Sequence, residues 1–147
     1  GLSDSRKERL VMNQLVYPKQ VVVRDTTVRE GFQREEKRIP TSAKLWVVEQ
    51  LILAGFRRLE VTNFANPKRQ PQFADAEELR RRIRTQRSIA GYLPEVELSA
   101  IAINQTAVDR AVAAAEAGLG PDRILMVVST SEAYQYANTG MANVQAK

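Results

Sequence analysis

The sequence predicts an α/β domain built around a parallel sheet. Its 147 residues suffice for one domain of ordinary globular composition, with 44% apolar and 27% charged residues. Short runs that are apolar on both faces alternate with helical patterns in the order β-α-β-α-β-α-β, which is typical of strands covered by helices. That order predicts parallel strands joined by right-handed crossovers. An open doubly wound sheet and a segment of a (β/α)8 barrel both fit, and in both the loops after the strands carry function.

Four strands and three helices are predicted along the chain. The strands cover residues 21–25, 58–62, 96–102 and 124–128, and the first is a β-branched run expected to be buried. The helices cover residues 43–54, 74–90 and 104–118. Thr41 and Ser42 are candidate N-caps of the first helix, and Asn104 or Thr106 opens the third. Gly55 and Gly118 are candidates for the residue that ends a helix.

The composition excludes several classes of function. The chain has no cysteine and no histidine, so disulfides, zinc–thiolate sites and cysteine nucleophiles are excluded within it, and so are the commonest general base and metal ligand. No run of about 18 apolar residues is present, so no membrane span is predicted. The absence of cysteine fits a cytoplasmic protein.

The net charge of +5 raises the question of nucleic-acid binding. Five arginines lie between positions 80 and 87 without an acid among them, but no aromatic side chain is interleaved to stack bases. We interpret this run as the solvated face of a helix and predict no nucleic-acid partner.

Charged side chains crowd the loop after the first predicted strand. Carboxylates there suit a hard divalent cation and guanidinium groups suit an oxyanion, although a solvated charged loop would have the same composition. The residues concerned are Arg24, Asp25, Arg29, Glu30, Gln33, Arg34, Glu35 and Glu36.

Glu60 is unusual because it lies inside a predicted strand. Strand periodicity points it away from Leu59 and Val61 on either side. If its face is a barrel interior, an ionised carboxylate there must be paired, and an arginine is the expected partner. The alternative is an outward glutamate at the edge of a sheet.

Two of these segments resemble a known family. Residues 25–33, DTTVREGFQ, resemble the signature of the DRE-TIM metallolyase superfamily, which includes hydroxymethylglutaryl-CoA lyases, isopropylmalate synthases and homocitrate synthases. Residues 60–68 and 71–75 are similar to the hydroxymethylglutaryl-CoA lyase branch. Further residues fall where that branch has the same types, namely Asn104, Ser131, Glu132 and Asn138.

The resemblance implies a TIM barrel with Mg²⁺ or Mn²⁺ at the carboxyl ends of its strands. It makes Glu30 a metal ligand and gives Arg29 the task of polarising the substrate carbonyl and stabilising an enolate. Glu60 is implied as a second catalytic residue. Three amide side chains, those of Gln33, Asn63 and Asn104, are implied in substrate binding.

The chain matches only the N-terminal half of such a barrel, with four strands and three helices. Residues 1–19 are then an N-terminal arm, residues 20–128 the half-barrel, and residues 129–147 a polar tail or the start of the fourth loop. The family's histidine ligands and cysteine loop have no counterpart in this sequence.

Three functions follow from this resemblance. The first is a lyase that cleaves a 3-hydroxy acyl-CoA by a retro-Claisen reaction. The second is a Claisen-type synthase that condenses acetyl-CoA with a 2-oxo acid. The third is a non-catalytic truncated half-barrel. The expected partners are an acyl-CoA or organic-acid substrate and either a second copy of the chain or a complementary half-barrel, with no membrane partner.

Overall fold

The computed structural model describes residues 17–130, which form a three-stranded parallel sheet and three α-helices. The strands lie side by side in chain order; the second and third strands pair in continuous register, whereas the first and second pair with a register shift between Glu60 and Thr62. The termini, including Ser131, Glu132, Asn138 and most of the predicted arm and tail, lie outside the described residues. The elements are α1 (Thr41–Leu53), β1 (Arg58–Asn63), α2 (Ala76–Thr85), β2 (Glu97–Ile101), α3 (Gln105–Glu116) and β3 (Arg123–Leu125).

The prediction of a buried first strand is wrong. Only Asp25 joins the sheet, through a single parallel bridge to Leu59 of β1. Val21, Val22 and Val23 before it are 71%, 77% and 61% exposed. A β-branched run becomes a buried strand only when neighbours cover it, and within residues 17–130 this edge of the sheet has β1 on one side and no strand on the other.

The fourth predicted strand is shorter than expected for the same reason. β3 ends at Leu125, and Met126, Val127 and Val128 beyond it are exposed. Both outer edges of the sheet therefore carry uncovered apolar side chains.

The strand order distinguishes the two predicted architectures. Asp25, β1, β2 and β3 follow one another across the sheet in chain order, whereas a doubly wound sheet reverses direction at a switch point. The helices pack on one face of the sheet, where Leu59 and Leu98 join one apolar cluster and Ala100 joins another. This is the arrangement of a barrel segment, with helices outside and the other face turned toward the barrel axis.

The helices carry apolar stripes that fit this face. α1 buries Lys44, Val48 and Ile52, one turn apart along one side. Fully burying an aliphatic side chain of this size contributes about 1.5–3 kcal/mol. α3 presents three alanines to the sheet, which keeps the helix close to the alanines of β2; they are Ala107, Ala111 and Ala114.

The helix ends follow the sequence signals with small differences. The Asn104 side chain accepts a hydrogen bond from the backbone N–H of Ala107 at 2.9 Å, which caps α3 as predicted. Gly55 and Gly118 have φ of 105° and 71° and end α1 and α3. Thr41 is the first residue of α1 rather than its cap, and α2 ends at Thr85, short of the predicted residue 90.

Most arginines of the run contact other groups of this chain. Arg81 and Arg82 pair with Glu78 on the same helix, α2, whereas Arg80 and Arg84 donate to backbone carbonyls of the loop before β3. Within residues 17–130, no helix has the length and apolar character needed to cross a membrane.

Candidate functional site

A five-residue π-helical turn, Thr27–Gly31, follows the Asp25 bridge at the carboxyl-end side of the sheet. Thr26 accepts two hydrogen bonds there, from the N–H of Glu30 at 2.7 Å and of Gly31 at 3.4 Å. The Asp25 carboxylate accepts the N–H of Thr27 at 2.9 Å and so fixes the start of the turn. π-Helical turns are rare and occur often at functional sites.

The turn directs Arg29 onto the carboxylate of Glu60 in β1. The Arg29 Nε donates to Glu60 Oε1, and its Nη1 donates to Glu30 Oε2. The Glu60 side chain is 5% exposed and that of Arg29 14% exposed. Of the two settings that the sequence left open for Glu60, the structure shows the buried one, with an arginine as its partner. Arg29 Nη2 has no acceptor within residues 17–130.

Glu30 is held as an anion by two arginines. The hydrogen bond from Arg34, at 3.1 Å to Oε1, is the main cause that lowers the pKa of Glu30 below its ordinary 4.5, and the charge of Arg29 lowers it further. Its side chain is 44% exposed. Glu30 therefore remains ionised well below neutral pH.

The described residues do not by themselves fit a metal ion. Both oxygens of Glu30 accept guanidinium hydrogen bonds, and no group of three or more acidic side chains converges anywhere in residues 17–130. A hard divalent cation requires about six oxygen ligands, of which the protein usually supplies several. Glu30 is thus a single candidate ligand, and any others would have to come from outside this part of the chain.

A β-bulge places Asn63 on the same face of the sheet as Glu60. Glu60 pairs with Ser99, and after the shift in register Asn63 pairs with Ile101, which lies on the Ser99 side of β2. Without the bulge, residues three apart in a strand would point to opposite faces. The Asn63 oxygen accepts the N–H of Ala65 at 2.9 Å, which orients the amide.

The other two predicted amide residues occupy different settings. The side-chain oxygen of Gln33, shortly after the π-helical turn, is buried and has no hydrogen-bond partner within the described residues. A buried acceptor of this kind requires a donor, which a substrate or water can supply. Asn104 lies just beyond β2, but its oxygen is used to cap α3.

A buried hydrogen-bonded cluster near the turn, formed by Lys44, Gln72 and Asp75 and called the clasp below, was not predicted from the sequence. Lys44 of α1 is fully buried and donates to Asp75 Oδ1 at 2.7 Å and to the Gln72 carbonyl. The Gln72 side chain accepts the N–H of Ile39 at 2.8 Å and donates to carbonyls of the loop that follows the turn, including that of Phe32 at 3.1 Å. The clasp ties the loop that follows the π-helical turn to α1 and to the segment before α2. The signal for it was a lysine on the apolar face of α1.

A second unpredicted cluster lies on the same face of the sheet, beside Glu60 and toward the amino ends of the strands. Arg24 donates to Ser99 at 2.6 Å and to Glu97 at 2.9 Å. Arg123 of β3 pairs with the other oxygen of Glu97 at 3.0 Å.

Parallel strands in chain order, helices on one face and an arginine–carboxylate cluster at the carboxyl ends of the strands define part of a (β/α)8 barrel that includes a share of its functional end. No family model matches the chain. Its homologues are hydroxymethylglutaryl-CoA lyases of the DRE-TIM superfamily, in sequence and in structure.

The chain is 30% identical over 121 residues to a mouse protein, "3-hydroxy-3-methylglutaryl-CoA lyase, cytoplasmic", covering 82% of the chain and 32% of that protein. It is 29% identical over 121 residues to the mitochondrial hydroxymethylglutaryl-CoA lyase of Arabidopsis thaliana, covering 82% and 23%. The solved HMG-CoA lyase of Acinetobacter baumannii, in complex with coenzyme A and 3-methylmalate, superposes with a TM-score of 0.70 at 28% identity, covering 85% of this chain and 37% of that one. The chain therefore spans well under half the length of these relatives and has the fold of part of their barrel, consistent with the N-terminal half.

Proposed function

We propose that this chain is the N-terminal half of a carbon–carbon lyase that cleaves a 3-hydroxy acyl-CoA, with hydroxymethylglutaryl-CoA as the substrate. The observation that carries the proposal is the half-buried Arg29, which donates to Glu60 and Glu30 and whose Nη2 has no acceptor among residues 17–130. The similarity to lyases, one of which is described with coenzyme A, supports the substrate class.

The reaction requires a cation where negative charge develops. A base removes the proton of the 3-hydroxyl, and the oxygen forms a carbonyl at C3 as the bond between C2 and C3 breaks. The C3 fragment leaves as a 3-oxo acid, and the electron pair of the broken bond stays with C2 as the thioester enolate. A proton added at the carbon then completes the acyl-CoA product. Arg29 is the electrophilic group for the enolate oxygen, because a fixed guanidinium in a partly buried site stabilises charge without reorganising. The base lies outside the histidine-free chain or is a group that the described residues do not single out.

Glu60 orients Arg29 in this scheme. Its carboxylate is almost fully buried and holds Nε, which leaves the far side of the guanidinium fork toward the barrel interior. Gln33 and Asn63 would contact the substrate, since Gln33 offers an unsatisfied acceptor and Asn63 shares the face of Glu60. Asn104 would offer a substrate its NH₂ group, because its side-chain oxygen caps α3.

A divalent metal, Mg²⁺ or Mn²⁺, belongs to the proposal as a cofactor of the whole barrel, where it would supply Lewis-acid polarisation of substrate oxygens. Glu30 is the one ligand that this chain would contribute. We assign no step to the metal, because the described residues do not complete a site. A cytoplasmic location is also proposed, supported by the absence of cysteine.

A synthase of the same superfamily is the second candidate function. The motif around Arg29 is common to lyases and synthases, and a glutamate at position 30 is the residue that homocitrate synthases have there. A half-barrel without activity of its own is the third candidate, and it is supported by the histidine-free sequence.

The test uses the whole barrel protein that contains this sequence, assayed with hydroxymethylglutaryl-CoA and, separately, with acetyl-CoA plus 2-oxo acids, each with and without Mg²⁺ or Mn²⁺. We expect lyase turnover, and we expect Arg29→Lys to lower kcat by about 10²–10³ with a much smaller change in KM, because the contact strengthens as the enolate forms. Lysine keeps the charge but lacks the fork that binds Glu60 and substrate together.

Arg87→Lys is the matched control, because Arg87 is an exposed arginine on the outer, helical side. An Arg29→Lys variant within a few-fold of the parent would remove Arg29 from the mechanism. Condensation without cleavage would establish the synthase, and turnover of neither substrate would contradict both catalytic proposals.

A further inference from the structure

One buried amide side chain holds the loop that joins the π-helical turn to α1. Gln72 is 6% exposed and lies in the segment before α2. Its Nε2 donates to the carbonyls of Phe32 and Lys37, both at 3.1 Å, and of Glu35 at 3.4 Å. Its Oε1 accepts the N–H of Ile39 at 2.8 Å. The loop therefore folds around a side chain that comes from 33 to 40 residues further along the chain.

The shape of this loop depends on that amide. No helix or strand lies between Gly31 and Thr41, so the backbone groups there have no regular ladder to join. Backbone groups that turn inward need partners, and a single glutamine amide offers two N–H donors and one acceptor oxygen. An apolar side chain in the place of Gln72 would leave three carbonyls and one N–H without the partner they have here.

The same side chain is linked to the backbone of Arg29. The N–H of Phe32 donates to the carbonyl of Arg29 and so closes the π-helical turn, while the carbonyl of Phe32 accepts from Gln72. Asp25 fixes the start of the turn through the N–H of Thr27. Gln72 thus holds the end of the turn, although within the described residues its side chain makes no hydrogen bond to Arg29 itself.

Gln72 is itself held in place. Its carbonyl accepts a hydrogen bond from the ammonium of Lys44, which is fully buried and paired with Asp75 at 2.7 Å. A group that positions another must be fixed by its own surroundings, and the clasp meets this condition.

We infer that Gln72 is a positioning residue for the reaction, which holds the end of the π-helical turn so that the Arg29 guanidinium meets the developing enolate oxygen in a productive geometry. A displacement of about 1 Å that originates far from the chemistry can cost about 10²-fold in rate. The kinetic consequence rests on the proposed function. The structural consequence, a loop and turn released by loss of the amide, does not.

The experiment uses the whole barrel protein that contains this sequence. Gln72→Met keeps the length of the side chain and removes its donors and acceptor. We expect kcat to fall about ten- to a hundredfold with KM within about twofold of the parent, because Gln72 acts through Arg29 and not on the substrate. In an Arg29→Lys background the same substitution should lower kcat by less than about twofold, since the guanidinium that Gln72 positions is already absent.

Hydrogen exchange measures the structural consequence without any turnover. The amides of residues 30–39 should exchange at least about tenfold faster in Gln72→Met than in the parent. Ile89→Ala is the matched control, because Ile89 is fully buried in the segment before β2 and its truncation destabilises the fold by leaving a cavity away from the loop. It should leave kcat within about twofold and the exchange of residues 30–39 unchanged.

A parental kcat in Gln72→Met would overturn the inference, and so would an equal fall in the parent and in the Arg29→Lys background. A loss confined to KM would overturn it as well and would assign the effect to Gln33 instead. If the parent turns over no substrate, the proposed function fails, and unchanged exchange of residues 30–39 would then overturn the inference separately. Circular dichroism checks folding. If Gln72→Met does not fold, Gln72→Asn, whose amide is one methylene shorter, provides the test, and a parental kcat in that variant would overturn the inference.

Discussion

The buried pair between Lys44 and Asp75 gives the sharpest test of what holds this fold together. Lys44 is fully buried, and its ammonium contacts Asp75 at 2.7 Å and the Gln72 carbonyl. The second oxygen of Asp75 accepts the hydroxyl of Thr41 at 2.6 Å. Lys44→Met keeps most of the apolar length of the side chain and removes only the charge and the donors.

The expected cost follows from what is left behind. Without the ammonium, the Asp75 carboxylate stays buried with Thr41 as its one remaining partner among the described residues, and the Gln72 carbonyl loses its lysine donor. Removing one member of a buried ion pair costs about 3–5 kcal/mol, because the other charge is left uncompensated. That is a large part of the roughly 5–15 kcal/mol by which domains are stable.

Urea unfolding followed by circular dichroism measures the loss. Lys44→Met should lower the free energy of unfolding by about 3–5 kcal/mol, whereas Lys68→Met, an exposed lysine, should change it by less than about 0.5 kcal/mol. The double variant Lys44→Met/Asp75→Asn should lose less unfolding free energy than the two single variants lose in sum, and the difference, the coupling energy, should be about 0.5–3 kcal/mol. A loss below about 1 kcal/mol, or strict additivity, would refute the view that a desolvated ion pair anchors α1 to the loop before α2.

Two further predictions concern the predicted site residues. Arg34→Ala should raise the pKa of Glu30 toward its ordinary 4.5 in an NMR titration, because the Arg34 hydrogen bond is the main cause of the lowering. The pKa of Glu30 is lower in the folded than in the unfolded chain. The stability that Glu30 contributes is therefore present at pH values above its unfolded pKa and is lost as the pH falls through its folded pKa. An unchanged pKa of Glu30 in the variant would show that Arg34 is not the main cause of the lowering. Asn104→Ala should cost about 1 kcal/mol of unfolding free energy and Asn104→Ser only a few tenths, because serine also caps helices. Equal losses in urea unfolding would show that the cap is not what Asn104 contributes.

Local signals in the sequence predicted the elements whose causes are local. The cap at Asn104 and the glycines at 55 and 118 mark helix ends because the backbone geometry there depends on a few adjacent residues. The inward orientation of Glu60 was also predictable, since an acid between two apolar strand residues has few alternatives in a sheet covered by helices.

The errors occurred where the outcome depends on distant residues. The valines at 21–23 have the strongest strand propensity in the chain, but a strand forms only against neighbours, and the described sheet supplies one on a single side. The position of Lys44 in α1 matches the spacing of the buried residues. A lysine is nevertheless expected to be exposed to solvent unless an ion-pair partner is known, and the partner, Asp75, lies 31 residues away in sequence.

Glu60 and Asn63 lie on the same face of β1 because of a β-bulge, which the alternating pattern of a strand sequence does not predict. Alternation alone puts Glu60 and Asn63 on opposite faces of β1, so a strict strand pattern would exclude Asn63 from the site that contains Glu60. The register shift between Glu60 and Thr62 reverses this and sets both residues on the Ser99 side of β2. Beside the bulge, the Thr62 hydroxyl is buried without a hydrogen-bond partner in the described residues, which is unfavourable. A regular strand would be more stable than the bulged one but would turn Asn63 toward the helices. A β-bulge is therefore expected in β1 if the strand is to direct both Glu60 and Asn63 into one site beside Arg29.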